Sequence, residues 1–221
     1  ADECIGEGRG IFILEVEVAV GRVVLVHRGV IGDVSLAQQA LGCQLDADEV
    51  VDTDLADWIT QIKKNPSSFE DTAAWWIRRK NYFLGHWLHK GGQYPDPVIR
   101  LFWRGKAALP QKDVHEQMQV EGEVGWAEGH LNHYSAPTLS EYVRKMNTYS
   151  SFEAEKLRAH KVMPSFSLLI QDFLIRPITT SCLLLFRHKG ILDGSAGILF
   201  AILSGLHFPL QYLKLWELYE R

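Results

Sequence analysis

The chain has 221 residues, 47% hydrophobic and 23% charged, with a formal net charge of -4. This is ordinary globular composition, enough for one sizeable core or a core with an appendage, and the acidity argues against a general nucleic-acid binder. The charge is uneven: residues 141–221 hold 10 Lys and Arg against 7 Asp and Glu, net +3, which leaves the rest of the chain at -7. An acidic front with a basic, apolar tail suits a soluble site docked on an anionic surface. Cys4, Cys43 and Cys182 lie far apart without a CxxC or CxxH pair, so zinc spacing is absent and a reducing compartment is expected. No signal-peptide pattern, internal repeat or low-complexity segment is seen.

Residues 11–20 and 22–27 read as strands, rich in β-branched residues and separated by Gly21. A short helix is predicted over 34–40 and a short strand over 42–45, which runs out at Asp46. Apolar residues at 51, 55, 58, 59 and 62 predict a helix over 50–64, ended by Pro66. Residues 72–83 read as a strand, 85–96 as a loop dense in Gly, His and aromatic residues, and 98–103 as another strand. Further strands are expected around 117–121 and 128–134. Thr138 or Ser140 is a candidate N-cap for a polar helix reaching about residue 160.

Residues 165–186 and 191–216 are apolar and helix-like. Gly194 to Leu213 is 20 residues without a formal charge, about the length that crosses a bilayer. Ser195, Ser204, His207, Pro209, Gln211 and three glycines within it favour an interfacial or core-facing helix pair. A buried helical hairpin in a soluble protein fits the same pattern.

Asp46 and Asp48 stand one residue apart where the short strand ends. Carboxylate oxygens suit Mg²⁺ or Mn²⁺, which bind through one or two carboxylates plus substrate phosphates. Taken alone, the pattern is more often an acidic first turn complementing a helix dipole.

An ordered set of motifs runs through the chain. It comprises Leu45-Asp-Ala-Asp-Glu, Arg79-Lys-Asn-Tyr-Phe-Leu-Gly-His-Trp, Gly92-Gln-Tyr-Pro-Asp-Pro-Val-Ile-Arg-Leu-Phe, Val114-His-Glu and His133-Tyr-Ser. Gly190-Ile-Leu-Asp-Gly-Ser-Ala-Gly and Tyr212-Leu-Lys-Leu-Trp-Glu complete it. The set, over roughly residues 40–217, resembles family-2 glycosyltransferases, in particular the lipopolysaccharide-core glucosyltransferase type. The resemblance implies an α/β, GT-A-like (Rossmann-like) mixed sheet flanked by helices, with a C-terminal apolar helical tail. It implies a catalytic core over 1–137 and a helical, membrane-associating region over 138–221.

The reaction so implied moves a hexose, glucose by preference, with inversion, from a nucleotide-sugar donor to a lipopolysaccharide-core or other lipid-linked acceptor. Asp46 and Asp48 would hold the ribose-diphosphate side and a Mg²⁺ or Mn²⁺ ion, with His133 as a further metal ligand or phosphate contact. Glu116 would be the general base, with Asp113 as runner-up and His115 orienting Glu116. Trp87 and Tyr94, with Trp103, would stack on sugar faces. Arg100 would hold an acceptor phosphate or Asp96, which shares the acceptor side, or would form a surface ion pair. No nucleic-acid partner is implied, and the expected location is cytoplasmic, peripheral to the inner face of the cytoplasmic membrane.

Family members carry a first nucleotide-binding unit well upstream of the paired aspartates. Only 45 residues precede Asp46, and residues 1–33 hold no recognisable version of that unit. The donor half is therefore expected to be truncated or diverged and the chain to be weakly active. Two competing classes are a non-catalytic acceptor-binding scaffold at the membrane and a metal-dependent hydrolase built on Asp46 and Asp48.

Overall fold

The computed structural model describes residues 14–19, 22–26, 41–108 and 118–221. The helix expected over 34–40 and the candidates Asp113, His115 and Glu116 lie outside the described residues. The fold is α/β, a mixed sheet with helices and an apolar helical C-terminal region. By contacts the chain divides into two units, Ala1–Arg78 with Pro97–Leu131, and Arg79–Asp96 with Asn132–Arg221.

In the first unit, β1 (Leu14–Ala19) and β2 (Arg22–Val26) form an antiparallel pair, and β1 also pairs antiparallel with β3 (Leu41–Cys43). A turn then leads to β4 (Glu49–Val51) and α1 (Thr53–Lys64). The helix starts three residues later than the apolar spacing predicts. Asp52 caps it by accepting from the Leu55 amide at 3.0 Å, and Glu49–Val51 are drawn into the sheet.

The strand β5 (Thr72–Phe83) begins in this unit, and β6 (His86–Trp87) folds back on its far end. β7 (Asp96–Trp103) pairs antiparallel with β3. β8 (Ala107–Ala108) and β9 (Gln119–Val120) make a separate small ribbon before β10 (Glu123–Ala136). The main strand order is β2-β1-β3-β7-β5-β10-β4.

Leu55, Trp58, Ile59 and Ile62 of α1 are buried against Trp75, Leu101, Trp103 and Leu131 of the strands. Trp58, Phe69, Trp75 and Trp103 meet edge to face at 5.8–6.4 Å, the preferred aromatic arrangement. Gly129 has φ +82°, and a Cβ there would lie 2.2 Å from the Leu55 amide nitrogen, so only glycine lets β10 approach the start of α1. That approach lets Asp52 also accept from the His130 amide at 3.0 Å.

In the second unit, Thr138, one of the two candidate caps, caps α2 (Leu139–Ala159), accepting from the Glu141 amide at 3.2 Å. Next comes a continuous helical stretch, α3 (Phe166–Ile170), a π turn, α4 (Arg176–Cys182) and a second π turn to Arg187. Pro177, which lacks an amide hydrogen, follows directly on the first π turn, in which the Arg176 amide donates to the Gln171 carbonyl. A short 3-10 turn at Gly190–Asp193 leads to α5 (Gly194–Gly205) and α6 (His207–Glu220). Phe83, Leu88, Ala136 and Ala196 form the small core of this unit, with Tyr142 and Phe200 packed on it. Among the described residues two helical stretches are long and apolar enough to cross a membrane, Phe166–Arg187 and Gly190–Glu220, yet only 6% and 22% of their most apolar parts are buried.

Candidate functional site

The acidic turn belongs to the first unit. Beyond Cys43 the Gln44 amide donates to the Arg100 carbonyl at 2.9 Å, keeping the chain beside β7 as β3 ends. The turn closes on itself: the Glu49 amide donates to the Asp46 carbonyl at 3.0 Å, and the Asp46 amide donates to Glu49 Oε2 at 3.2 Å. Asp46 and Asp48 thus stand in a strand-to-strand turn, and the first turn of α1 carries Asp54 instead. The helix-dipole alternative for the pair is thereby overturned, because Glu49–Val51 separate it from the helix.

Arg100 reaches this turn from β7. Its Nη2 donates to Asp46 and, at 3.1 Å, to Glu49 Oε1, while its Nε lies 3.1 Å from Glu49 Oε2 without hydrogen-bond alignment. The Glu49 side chain is wholly buried, Arg100 is nearly so, and Asp46 is half exposed. A buried carboxylate is tolerable only when paired, and Arg100 supplies the opposite charge beside Glu49 while the Asp46 amide donates to it. Burial and the nearby Glu49 push the Cys43 thiol up to about 12, with Arg100 offsetting part of this, so Cys43 is a packing residue and not a nucleophile.

A second polar cluster belongs to the second unit. Asp96 Oδ2 accepts from Arg79 Nε at 3.1 Å, Arg79 Nη2 at 2.6 Å and Asn81 Nδ2 at 2.9 Å. The Asn81 amide also donates to the Gln93 carbonyl at 2.8 Å, and its Oδ1 lies 2.6 Å from His133 Nδ1. Both Nδ2 hydrogens being engaged, Oδ1 must accept, which puts a proton on His133 Nδ1. Arg100 and Asp96, offered from sequence as partners, are therefore each bound elsewhere. Trp87 is half-buried, with the His89 ring at 3.7 Å, Tyr94 at 5.5 Å and Lys80 Nζ 5.1 Å over its face. Tyr94 precedes Pro95 through a cis peptide.

The structure places Asp46, Asp48 and Arg100 in one unit and Trp87, Tyr94, Asp96 and His133 in the other. Trp103 is core: it is 9% exposed, packs on Trp75 and points its Nε1 at the Phe69 carbonyl. Among the described residues no group of three or more His, Cys, Asp or Glu side chains is disposed to hold a metal ion. The half-exposed Asp46 and its neighbour Asp48 are hard oxygen donors, which fit a Mg²⁺ or Mn²⁺ ion that takes its remaining ligands from a diphosphate.

Sequence reasoning missed Glu49, Arg79 and Asn81 as site members. Glu49 and Asn81 are buried polar residues inside recognised motifs, and that combination marks a residue whose partner the fold must supply.

No protein-family model and no solved structure matches the chain. The chain is similar to the lipopolysaccharide core biosynthesis glycosyltransferase LpsC of Rhizobium meliloti (strain 1021), with 29% identity over 181 residues. The alignment covers 78% of this chain and 62% of that protein, so the chain spans less than two thirds of its relative. This similarity supports a glycosyltransferase relationship for the chain.

Proposed function

We propose that the chain is an inverting, family-2-like glycosyltransferase of GT-A type. It moves a hexose, glucose by preference, from a nucleotide-sugar donor to a lipopolysaccharide-core or other lipid-linked glycan. The observation that carries the reading is the similarity to a lipopolysaccharide core glycosyltransferase over 78% of the chain. The ordered motif set of the sequence suggests the same class.

Asp46 and Asp48 would hold a Mg²⁺ or Mn²⁺ ion, which when bound neutralises the charge developing on the leaving diphosphate. Arg100 fixes Asp46 and Glu49 in place and so sets the shape of that turn. Glu116 takes the proton from the acceptor hydroxyl as the sugar becomes oxocarbenium-like. On the acceptor side, Asp96 is oriented by Arg79 and Asn81 to accept from sugar hydroxyls, with Trp87 and Tyr94 as stacking faces. His133 positions Asn81. The location is the cytoplasmic side of the membrane, where lipid-linked acceptors are presented, with the apolar C-terminal helices providing attachment.

A second reading, an acceptor-binding scaffold without transfer, draws on the Arg100 guanidinium, which already neutralises part of the acidic turn. Calorimetric titration with uridine diphosphate and Mn²⁺ separates the two. Transfer predicts Mn²⁺-dependent affinity that disappears in Asp48→Ala and persists in Asp57→Ala, a control on the exposed part of α1. Identical affinity in Asp48→Ala rules out its metal role, and no nucleotide binding at all favours the scaffold. Glu116→Gln should lower turnover by roughly two to four orders of magnitude. A fall under about tenfold moves the base elsewhere, with Asp113 next to test.

A further inference from the structure

We propose that the C-terminal helices lie flat in the headgroup region of an anionic phospholipid bilayer, on one side only, and do not cross it. The inference deepens the proposed membrane association and needs nothing from the transferase assignment, since vesicle binding is read without substrate.

Length and composition alone permit crossing. Phe166–Arg187 is a 22-residue helical stretch, about 33 Å long at 1.5 Å per residue, and Gly190–Glu220 is longer still. A crossing hairpin would carry its turn, residues 188–193, to the far side of the membrane. That turn is fastened to the polar loop after β6. The Asp193 carboxylate accepts from the His89 amide at 3.1 Å and the Lys90 amide at 2.8 Å, and the Gly91 amide donates to the His188 carbonyl at 2.9 Å. Gly190 is buried there, and a Cβ on it would meet the Leu184 carbonyl oxygen at 2.8 Å, so the turn is built for close approach. The loop joins β6 directly to β7.

The opposite end of the hairpin is also tied to polar structure. Lys214 of α6 donates to the Asn147 carbonyl and, at 2.9 and 2.8 Å, to the hydroxyls of Ser150 and Ser151 on α2. With both ends bound to water-facing elements of one unit, the apolar length between them can meet a membrane only sideways.

The exposed side fits that position. Leu174, Ile178 and Phe186 are 56%, 60% and 65% exposed, with Ile202 and Trp216 near half. Exposure of this extent on one unit exceeds what a solvated surface ordinarily carries. The bilayer is favoured over a protein partner by charge. From Lys161 to Lys189 the chain holds four cations, Lys161, Arg176, Arg187 and Lys189, against Asp172 alone. Asp172 is buried and paired to Arg176 at 2.7 Å, so those two offset each other and the positive charge rests on Lys161, Arg187 and Lys189 at the ends of the stretch. An apolar helix bordered by net positive charge is complementary to anionic lipid.

The test uses the full chain carrying Cys4→Ser, with vesicles of phosphatidylcholine alone or mixed equally with phosphatidylglycerol. Cys43 is buried and Cys182 is exposed on the helix, so Cys182 reports lipid contact. The chain should float with the mixed vesicles and roughly tenfold less with the neutral ones. Ile178→Glu and Phe186→Glu replace exposed side chains, so they should keep the fold by circular dichroism and lose flotation by a similar factor. Bound to vesicles, Cys182 should become shielded from a membrane-impermeant maleimide, while a cysteine introduced by Arg187→Cys stays reactive from outside. Loss of Arg187→Cys labelling that detergent restores would show a crossing hairpin and overturn the proposal. Equal flotation on neutral vesicles would overturn the anionic surface. Absence of flotation would overturn the proposal, and Cys182 shielding that depends on protein concentration and needs no vesicles would overturn it in favour of another copy of the chain.

Discussion

Two helical regions of this chain have strong apolar content and opposite fates. In α1, Leu55, Trp58, Ile59 and Ile62 fall on one stripe and are at most 6% exposed, while Asp54, Asp57, Lys63 and Lys64 face water. In Phe166–Arg187 the apolar residues run all round the helix, and only 6% of the most apolar window is buried. A striped helix states in its own sequence where the core is. A helix apolar on every side states only that water is the wrong solvent for it. Which solvent replaces water depends on the elements that hold its ends.

The contrast is open to direct attack, beginning with the first unit. Arg100→Ala takes the guanidinium away from the buried Glu49 carboxylate and should cost about 3–5 kcal/mol in denaturant unfolding. Arg100→Lys should recover only part, since an ammonium cannot serve Asp46 and Glu49 through one planar fork. A loss under about 1 kcal/mol for Arg100→Ala would mean that Glu49 is satisfied without it. Ile59→Ala in α1 should cost about 2–4 kcal/mol through the cavity it opens.

In the second unit, Asn81→Ala leaves His133, Asp96 and the Gln93 carbonyl each short of a partner. It should cost about 1–3 kcal/mol. The smallest effect sharpens the comparison most. Ile178→Ala, chemically the same change as Ile59→Ala, should alter stability in buffer by no more than about 0.5 kcal/mol because Ile178 is 60% exposed. A cost for Ile178→Ala equal to that of Ile59→Ala would erase the distinction between the two regions.

Local patterns were legible where local physics decides. The strands Leu14–Ala19, Arg22–Val26, Thr72–Phe83 and Asp96–Trp103, and the helix capped by Thr138, fall where β-branched runs, turn residues and capping chemistry put them. The start of α1 was misread because Val50 and Val51 fit a helical stripe equally well. Their place in β4 comes from the sheet order, in which β4 adjoins the distant β10. The two π turns, and the break at Leu206 between α5 and α6, also left no periodic trace.

The site was legible to the same extent. The acidic turn and the Gly-rich loop were recognisable as motifs, since each is contiguous. The partners of Arg100 were not, because Asp46 is 54 positions away and only the β3–β7 register brings them level. Asp193 was likewise visible only as part of a signature. Its hold on the His89 and Lys90 amides spans more than one hundred positions.

The central claim is hexose transfer, and its most direct test is product mass. The chain is incubated with uridine diphosphate glucose, Mn²⁺ and a truncated lipopolysaccharide-core acceptor, beside Asp48→Ala and Glu116→Gln. The account predicts an acceptor heavier by one hexose residue, formed in proportion to enzyme and time and lost in both variants. Donor consumption without any change in acceptor mass, equally present in Asp48→Ala, would contradict it.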